Sequence, residues 1–225
     1  GASIIVATPG RLVDHINRKT IKLKSCDYLV LDEADEMLNM GFIDDIKEVL
    51  THIDSKSQMT FFSATMPKAI LDLSESFLKK PQMVKLSQKS LASGRIDQVY
   101  YEVAPRQKKD LLIQLLKIHN DQQIMVFCNT KRMVDELAEA LQKEKISVLS
   151  LHGDMKQDQR TVVMRQFKRG SASTLVATDV AARGIDVNDM DLVINFDLPQ
   201  ELEYYVHRIG RTGRAGRNGQ AISLV

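Results

Sequence analysis

Short, continuous runs of apolar residues alternate with amphipathic stretches along the chain. Apolar runs without alternation are typical of strands that are covered on both faces, as in a parallel sheet. In the first part of the chain they predict strands at 4–7 (IIVA), 28–31 (YLVL), 59–62 (MTFF) and 83–86 (MVKL). Helical periodicity predicts helices over Ile43–Ile53 and Pro67–Leu78, the latter with proline in its first turn. This order of elements indicates an α/β fold.

The pattern is interrupted by a polar stretch, SQKSLASGR (87–95), which we interpret as a linker. Beyond it, further strands are predicted near 99–103, 124–127, 147–150, 174–177, 192–196 and 221–225. The spacing of a buried helix face is kept by Val134, Leu137, Ala138 and Leu141. The sequence therefore predicts two open parallel sheets, in domains at 1–86 and 96–225. Such sheets bind ligands beyond the carboxyl ends of their strands.

Composition narrows the class of protein. The 225 residues suit one large domain or two small ones. With 44% hydrophobic and 27% charged residues, no apolar run approaches the roughly 20 residues that cross a bilayer, so we expect no membrane span. The N-terminus lacks the basic start of a signal peptide, and a cytoplasmic location is expected. The formal charge of +2 does not by itself indicate a nucleic-acid partner. Cys26 and Cys128 have no metal-binding spacing and are interpreted as buried thiols.

Acidic residues follow the predicted strand at 28–31. Asp32, Glu33 and Asp35 stand so close together that their carboxylates repel one another unless a cation or hydrogen-bond donors neutralise them. A hydrated Mg²⁺ that is held through one carboxylate and through substrate phosphates would do this. An acidic first turn of a helix, favoured by the helix dipole, explains the same residues.

Other strand ends carry hydroxyl groups, glycines and arginines. Ser63 and Thr65 follow the strand at 59–62 and either bond a neighbouring carboxylate or cap the next helix. The TPGR segment (8–11) either offers donors to a phosphate or forms a simple turn. Near the end of the chain, Arg211 and Arg214 are three residues apart and share a face if a helix over Gln200–Gly210 continues through them, and the planar guanidinium group fits phosphate oxygens. A solvated basic tail is the alternative.

Six short motifs follow one another along the chain, and both their sequences and their order are informative: TPGR (8–11), DEAD (32–35), SAT (63–65), FCNT (127–130), ATDVAARGID (177–186) and HRIGRTGR (207–214). Together they resemble the DEAD-box RNA helicases of superfamily 2 over essentially the whole chain, and MLNMGFIDDI resembles bacterial members. The resemblance implies two RecA-like parallel-sheet domains in tandem that close over ATP and single-stranded RNA. It also implies an ATP-dependent RNA helicase that separates RNA strands locally.

The resemblance further implies roles for individual residues. Asp32 would hold Mg²⁺ through water, Glu33 would orient or deprotonate the attacking water, and Arg211 and Arg214 would meet the charge that develops on the γ-phosphoryl group. The nucleotide contacts would be Gly184 and Asp186, and the interdomain network would contain Asp35, Ser63, Thr65 and His207. RNA would be contacted, without reading of its sequence, by Thr8, Gly10, Arg11, Thr130, Gly153, Gln157, Arg160, Thr178 and Asp179.

The chain contains no Gly-Lys pair, which a phosphate-binding P-loop requires. We therefore expect a helicase fragment whose first domain is incomplete and whose second domain lacks its last element. Such a fragment would have a marginally stable first domain and negligible ATPase activity. Two alternatives remain: an RNA-binding module without ATPase activity, and a DNA-directed motor of the same superfamily, against which the DEAD and HRIGRTGR spellings argue.

Overall fold

The computed structural model describes residues 2–85, 95–182, 189–213 and 217–225. The chain divides into two compact units, unit 1 (Gly1–Leu86) and unit 2 (Ser87–Val225). All of the predicted linker except Arg95 lies outside the described residues. Within the described ranges, no helix has the length and apolar character that crossing a membrane requires.

Unit 1 is built around a parallel pair of strands. Its elements are α1 (Pro9–Asn17), β1 (Tyr28–Leu31), α2 (Ala34–Asn39), α3 (Ile43–Thr51), β2 (Gln58–Phe61) and α4 (Lys68–Phe77). β1 and β2 pair in register, with Tyr28 opposite Gln58 and Leu31 opposite Phe61. The core beneath them contains Leu31, Ala34, Ile46, Leu50, Ile70 and Leu73. A second cluster, formed by Leu23, Val49 and Ile53, is extended by apolar residues of α1. The predicted helices are confirmed as α3 and α4.

Two of the strands predicted for unit 1 are wrong. Residues 2–8 and 81–85 form no strand, and Ile4 and Val6 are 83% and 95% exposed. An apolar run becomes a strand only where a neighbour supplies hydrogen bonds, and within 2–85 β1 and β2 pair only with each other. β1 was also expected to be covered on both faces, but Tyr28 and Val30 on one of its faces are exposed.

Unit 2 contains a six-stranded parallel sheet. Its elements are β3 (Ile96–Tyr101), a 3₁₀ turn (Pro105–Gln107), α5 (Lys108–Ile118), β4 (Ile124–Phe127), α6 (Lys131–Lys143), β5 (Val148–Leu151), α7 (Gln157–Lys168), β6 (Thr174–Ala177), α8 (Asp179–Ala182), β7 (Leu192–Asn195), α9 (Leu202–Ile209) and β8 (Gly219–Leu224). The strands lie in the order β3-β8-β7-β4-β6-β5, and each neighbouring pair is parallel. The predicted α/β fold with parallel sheets is confirmed.

The three central strands of unit 2, β4, β6 and β7, are buried along their whole length. Side chains alternate between two cores: Ile124 and Val126 face one cluster, and Met125 and Phe127 face the other. The first cluster also receives Val134, Leu137 and Leu141 of α6, as predicted from their spacing. Cys128 is buried as expected, whereas Cys26 is half-buried. Burial, together with the charge of Asp197, raises the pKa of the Cys128 thiol, which therefore stays protonated.

The order of the strands determines where loops converge. From β4 the chain passes to β5 at the sheet edge, returns to β6 beside β4, and then crosses to β7 on the other side of β4. The carboxyl ends of β4, β6 and β7 are therefore neighbours at a reversal of strand order. Crevices at such reversals are the usual ligand sites of open parallel sheets.

Candidate functional site

Unit 1 holds two carboxylates outward where β1 ends. Asp32 and Glu33 are exposed, and Asp32 Oδ1 accepts a hydrogen bond from the Glu33 amide at 2.9 Å. Glu33 has φ 52° and ψ 47°, a left-handed conformation that costs a non-glycine residue about 1–2 kcal/mol. The turn is held because the buried Ala34 donates its amide to the Phe62 carbonyl at 3.0 Å. Conformations of this kind in non-glycine residues cluster at functional sites.

Asp35 points inward and is only 3% exposed. Its Oδ2 accepts the Thr65 amide at 2.6 Å and the Thr65 hydroxyl at 2.8 Å, while Oδ1 accepts the Glu36 amide at 3.1 Å. The Asp35 amide in turn donates to Ser63 Oγ at 3.0 Å. The structure thus brings together Asp35, Ser63 and Thr65, and joins the turns that follow β1 and β2. Their role in interdomain coupling stays a prediction.

Two opposing effects act on the Asp35 carboxyl. Burial alone would raise its pKa, because it disfavours the charged form. The hydrogen bonds from Thr65, Ser63 and the Glu36 amide outweigh burial and hold the pKa of Asp35 below its ordinary value. The carboxylate form therefore stabilises unit 1.

This lowered pKa predicts an acid-sensitive fold. The contribution of Asp35 is fully present above the pKa of an unfolded aspartate, about 3.9, and is lost as pH falls further towards the lower folded pKa. Asp35→Asn should reduce the free energy of unfolding of unit 1 at pH 7 by about 1–3 kcal/mol, and should flatten the loss of stability below about pH 4. Urea unfolding between pH 7 and pH 3, followed by circular dichroism, measures both effects.

The matched control for this prediction is Asp72→Asn, which changes an exposed carboxylate on α4. It should leave both the pH 7 stability and its acid dependence as in the unsubstituted protein. Equal stability of the Asp35→Asn variant and the unsubstituted protein at pH 7 would contradict the role given to the Asp35 hydrogen bonds.

The TPGR segment opens α1 at the surface of unit 1. Thr8 is the N-cap residue, but its side chain makes no capping hydrogen bond. Thr8 and Arg11 are exposed, and Arg11 lies 3.2 Å from Asp14. A Cβ atom at Gly10 would come within 3.3 Å of Asp45 Oδ2, so the helix start packs tightly against α3. The RNA contacts of Thr8, Gly10 and Arg11 stay predictions.

In unit 2 the predicted RNA residues follow three adjacent strands. Thr130, after β4, caps α6, its Oγ1 accepting the Met133 amide at 3.2 Å. Gly153 follows β5 and is exposed, and Thr178 and Asp179 follow β6.

On α7, Arg160 contacts Gln157 Oε1 at 3.4 Å and donates to the Ala181 carbonyl of α8 at 3.1 Å. Because the strands are parallel, these segments share one edge of the sheet. Their RNA contacts are untested by the geometry.

A buried arginine at this edge was missed by the sequence interpretation. Arg208, on α9, is 1% exposed. Its Nε and Nη2 donate to the two carboxylate oxygens of Asp179, each at 2.7 Å. Nη2 also donates to Asn129 Oδ1 at 2.8 Å, and Nη1 donates to Asn195 Oδ1 at 3.3 Å and to the Asp197 carbonyl at 2.6 Å. The guanidinium carbon lies 5.2 Å from the centre of the Phe127 ring.

A signal for this cluster does exist in the sequence. Asn195 interrupts the apolar run LVINF and is fully buried. A buried amide needs hydrogen-bond partners, and Asn195 finds Ser223 Oγ at 3.2 Å as well as Arg208. A polar residue inside a predicted apolar strand is thus the sequence feature that could have pointed to a buried polar partner elsewhere in the chain.

The segment after α9 is fixed by its backbone. The Arg211 amide donates to the Arg208 carbonyl and the Arg211 carbonyl accepts the Met190 amide, both at 3.1 Å. Buried Thr212 donates its hydroxyl to the Asp191 carbonyl at 3.3 Å. A Cβ atom at Gly219 would lie 2.1 Å from Thr212 Oγ1 and 2.4 Å from the Gly213 nitrogen, so only glycine fits there.

The remaining predicted residues are placed as follows. Arg211 is half-buried and His207 is exposed. Three predicted residues lie outside the described part of the chain: Arg214, Gly184 and Asp186. Of the arginine pair, the structure therefore fixes the surroundings of Arg211.

Comparison with protein families assigns a class to these two parallel α/β units. The family described as DEAD/DEAH box helicase matches residues 1–73, and that described as Helicase conserved C-terminal domain matches residues 107–216.

Among curated relatives, the DEAD-box ATP-dependent RNA helicase CshA of Bacillus subtilis is 52% identical over 223 residues, covering 99% of this chain and 45% of the relative. Two solved structures are also similar. Escherichia coli SrmB, a DEAD-box protein bound to RraA, is 44% identical with a TM-score of 0.56, over 59% of this chain and 79% of that one. Saccharomyces cerevisiae Dbp5 bound to RNA and ADP BeF3 is 34% identical with a TM-score of 0.89, over 100% of this chain and 59% of that one.

The chain belongs to the DEAD-box helicase family, and its units are RecA-like. It spans about half the length of the curated relatives that it matches.

Proposed function

We propose that the full-length protein that carries this chain is an ATP-dependent RNA helicase, which separates or remodels short RNA duplexes at the expense of ATP. The observation that carries this proposal is the turn after β1. There the left-handed backbone conformation of Glu33 leaves the side chains of Asp32 and Glu33 exposed, next to the buried Asp35 with its hydrogen bonds from Thr65. Half of the residues are also shared with CshA RNA helicases. An enzyme of ATP and cellular RNA works where both are abundant, so we propose a cytoplasmic location.

Asp32 is the proposed contact for Mg²⁺. Among the residues that the structure describes, no group of three His, Cys, Asp or Glu side chains forms a metal site. One exposed carboxylate fits Mg²⁺, which usually keeps several waters and takes further ligands from substrate phosphates. When bound, Mg²⁺ would neutralise phosphate charge. Glu33, one residue further, would orient the attacking water or accept its proton.

The second unit supplies positive charge for the same chemistry. We propose that Arg211 and Arg214 stabilise the charge that develops on the γ-phosphoryl group, since a planar guanidinium donates two parallel hydrogen bonds to phosphate oxygens. Gly184 and Asp186 are proposed nucleotide contacts, with Asp186 near the ribose. Asp35, Ser63, Thr65 and His207 are proposed to couple the state of the nucleotide to the grip on RNA.

RNA is proposed to bind along residues at the helix start of unit 1 and at the strand ends of unit 2, namely Thr8, Gly10, Arg11, Thr130, Gly153, Gln157, Arg160, Thr178 and Asp179. Hydroxyl groups, amides and guanidinium groups suit phosphates and 2′-hydroxyls, which distinguish RNA from DNA without reading bases. Such binding should weaken as salt concentration rises.

The test compares RNA with DNA. The full-length protein should hydrolyse ATP faster when single-stranded RNA is added, and DNA of the same sequence should neither stimulate hydrolysis nor compete with the RNA. The 225-residue chain alone has no Gly-Lys pair, so we expect it to bind the RNA without hydrolysing ATP. Phosphate release and fluorescence anisotropy measure these results. Equal stimulation by DNA would favour a DNA-directed motor, and no stimulation by either would refute the proposal.

A further inference from the structure

Arg208 joins three strand ends of unit 2 through one side chain. Its guanidinium makes five hydrogen bonds: two to Asp179 after β6, one to Asn129 after β4, one to Asn195 at the end of β7, and one to the Asp197 carbonyl. These bonds use all five N–H donors of an arginine. The group is therefore fully committed to holding these segments together.

Two partners of Arg208 lie beside proposed RNA contacts, and one of them, Asp179, is itself a proposed RNA contact. Asn129 precedes Thr130, whose side chain caps α6. Asp179 follows Thr178 and opens α8. An RNA backbone that binds at Thr130 and Thr178 would thus contact two segments that are both hydrogen-bonded to Arg208.

The other end of Arg208 leads to the arginine segment. The Arg208 carbonyl accepts the Arg211 amide at 3.1 Å, so the two residues belong to one turn of backbone at the end of α9. A shift of the Arg208 guanidinium with Asp179 would therefore move the turn that carries Arg211.

The burial of the Arg208 guanidinium makes its pairing with Asp179 hard to break. Arg208 is 1% exposed, and separating its guanidinium from Asp179 would leave a charge without a partner inside the protein, which is strongly unfavourable. Asp179 and α9 must therefore move together rather than independently. Lysine could not replace this arrangement, because an ammonium group lacks the planar fork that reaches Asp179 and Asn129 at once.

We propose that Arg208 is a positioning residue that couples RNA occupancy at Thr130 and Thr178 to the placement of Arg211, and so contributes to the stimulation of ATP hydrolysis by RNA. This inference rests on the proposed function. It assigns to Arg208 no contact with RNA or nucleotide, since its donors are committed within unit 2.

The test is Arg208→Lys in the full-length protein, with ATP hydrolysis measured with and without single-stranded RNA. The ratio of the stimulated to the unstimulated rate should fall about tenfold or more, within the usual range of coupling between two sites. A merely structural role would lower both rates together and leave their ratio unchanged. Arg169→Lys, which changes an exposed arginine after α7, is the control and should keep the ratio.

A second measurement uses the 225-residue chain and an oligouridylate of about ten nucleotides. Hydrogen exchange should slow on RNA binding at 129–131, at 178–182 and also at 208–213 in the unsubstituted chain. In the Arg208→Lys chain the slowing at 208–213 should be lost. If that variant does not fold, Asn129→Ala, which removes a hydrogen-bond acceptor of Arg208 at a residue that is not a proposed RNA contact, should change both results in the same direction.

The outcomes separate the two proposals. A full-length protein whose ATPase activity does not respond to RNA overturns the proposed function and this inference with it. RNA stimulation that is intact in the unsubstituted protein and equally strong in Arg208→Lys and Asn129→Ala overturns this inference alone.

Discussion

Replacing Glu33 with glutamine in the full-length protein should lower RNA-stimulated ATP hydrolysis by about 10²- to 10⁴-fold, the usual contribution of a general base. Glutamine has nearly the same shape but cannot accept a proton from water. Glu33 is exposed, and its side chain makes no capping hydrogen bond to α2. The fold and the affinity for RNA should therefore be unchanged, so that kcat falls without a matching loss of RNA binding.

Glu75→Gln, which removes an exposed carboxylate from α4, is the matched control and should hydrolyse ATP at the unsubstituted rate. Phosphate release at saturating RNA gives kcat, and thermal unfolding checks the fold. A Glu33→Gln variant with kcat within twofold of the unsubstituted protein would remove Glu33 from the proposed chemistry.

Replacing Arg211 with alanine should have an effect of similar or larger size. An arginine that meets the charge on a transferring phosphoryl group contributes about 10³- to 10⁵-fold to turnover. The backbone around Arg211 is fixed by the Met190 amide on one side and by the Gly219 packing against Thr212 and Gly213 on the other. The guanidinium is thus presented from a rigid turn, and its loss should not be relieved by movement of the segment.

Measurement of kcat for the Arg211→Ala and Arg211→Lys variants tests this prediction. Lysine keeps the charge but not the planar fork, so it should restore little of the rate. Arg106→Ala, at an exposed position in the 3₁₀ turn, serves as the control. Full RNA-dependent turnover after both Arg211 and Arg214 are changed to alanine would show that neither arginine acts on the phosphoryl group.

The fold was most predictable where burial is complete. The strands at 124–127 and 174–177 were predicted residue for residue, because a strand covered on both faces must be apolar throughout. The run at 4–7 has the same composition but no strand beside it among residues 2–85, and it lies exposed. Strand pairing depends on residues that are distant in sequence, so an apolar run alone does not reveal it.

In the candidate site, too, some features could be predicted from the sequence and others depend on tertiary packing. The meeting of Asp35 with Ser63 and Thr65 follows from sequence, since the carboxyl ends of two parallel strands share an edge. The burial of Arg208 does not follow from the HRIGRTGR segment, where several arginines look alike. Which of them turns inward depends on the phase of α9 against β4, β6 and β7, and that is set by tertiary packing.

The position of β8 has a consequence for the order in which unit 2 can form during synthesis. β8 is synthesised after β3 to β7, yet it lies inside the sheet, between β3 and β7. β3, the first strand of the unit, pairs with β8 alone among the described strands. In the nascent chain, β3 therefore has no strand partner among the described strands until β8 has been synthesised. Long-range pairings of this kind slow folding and extend the time during which a chaperone is useful.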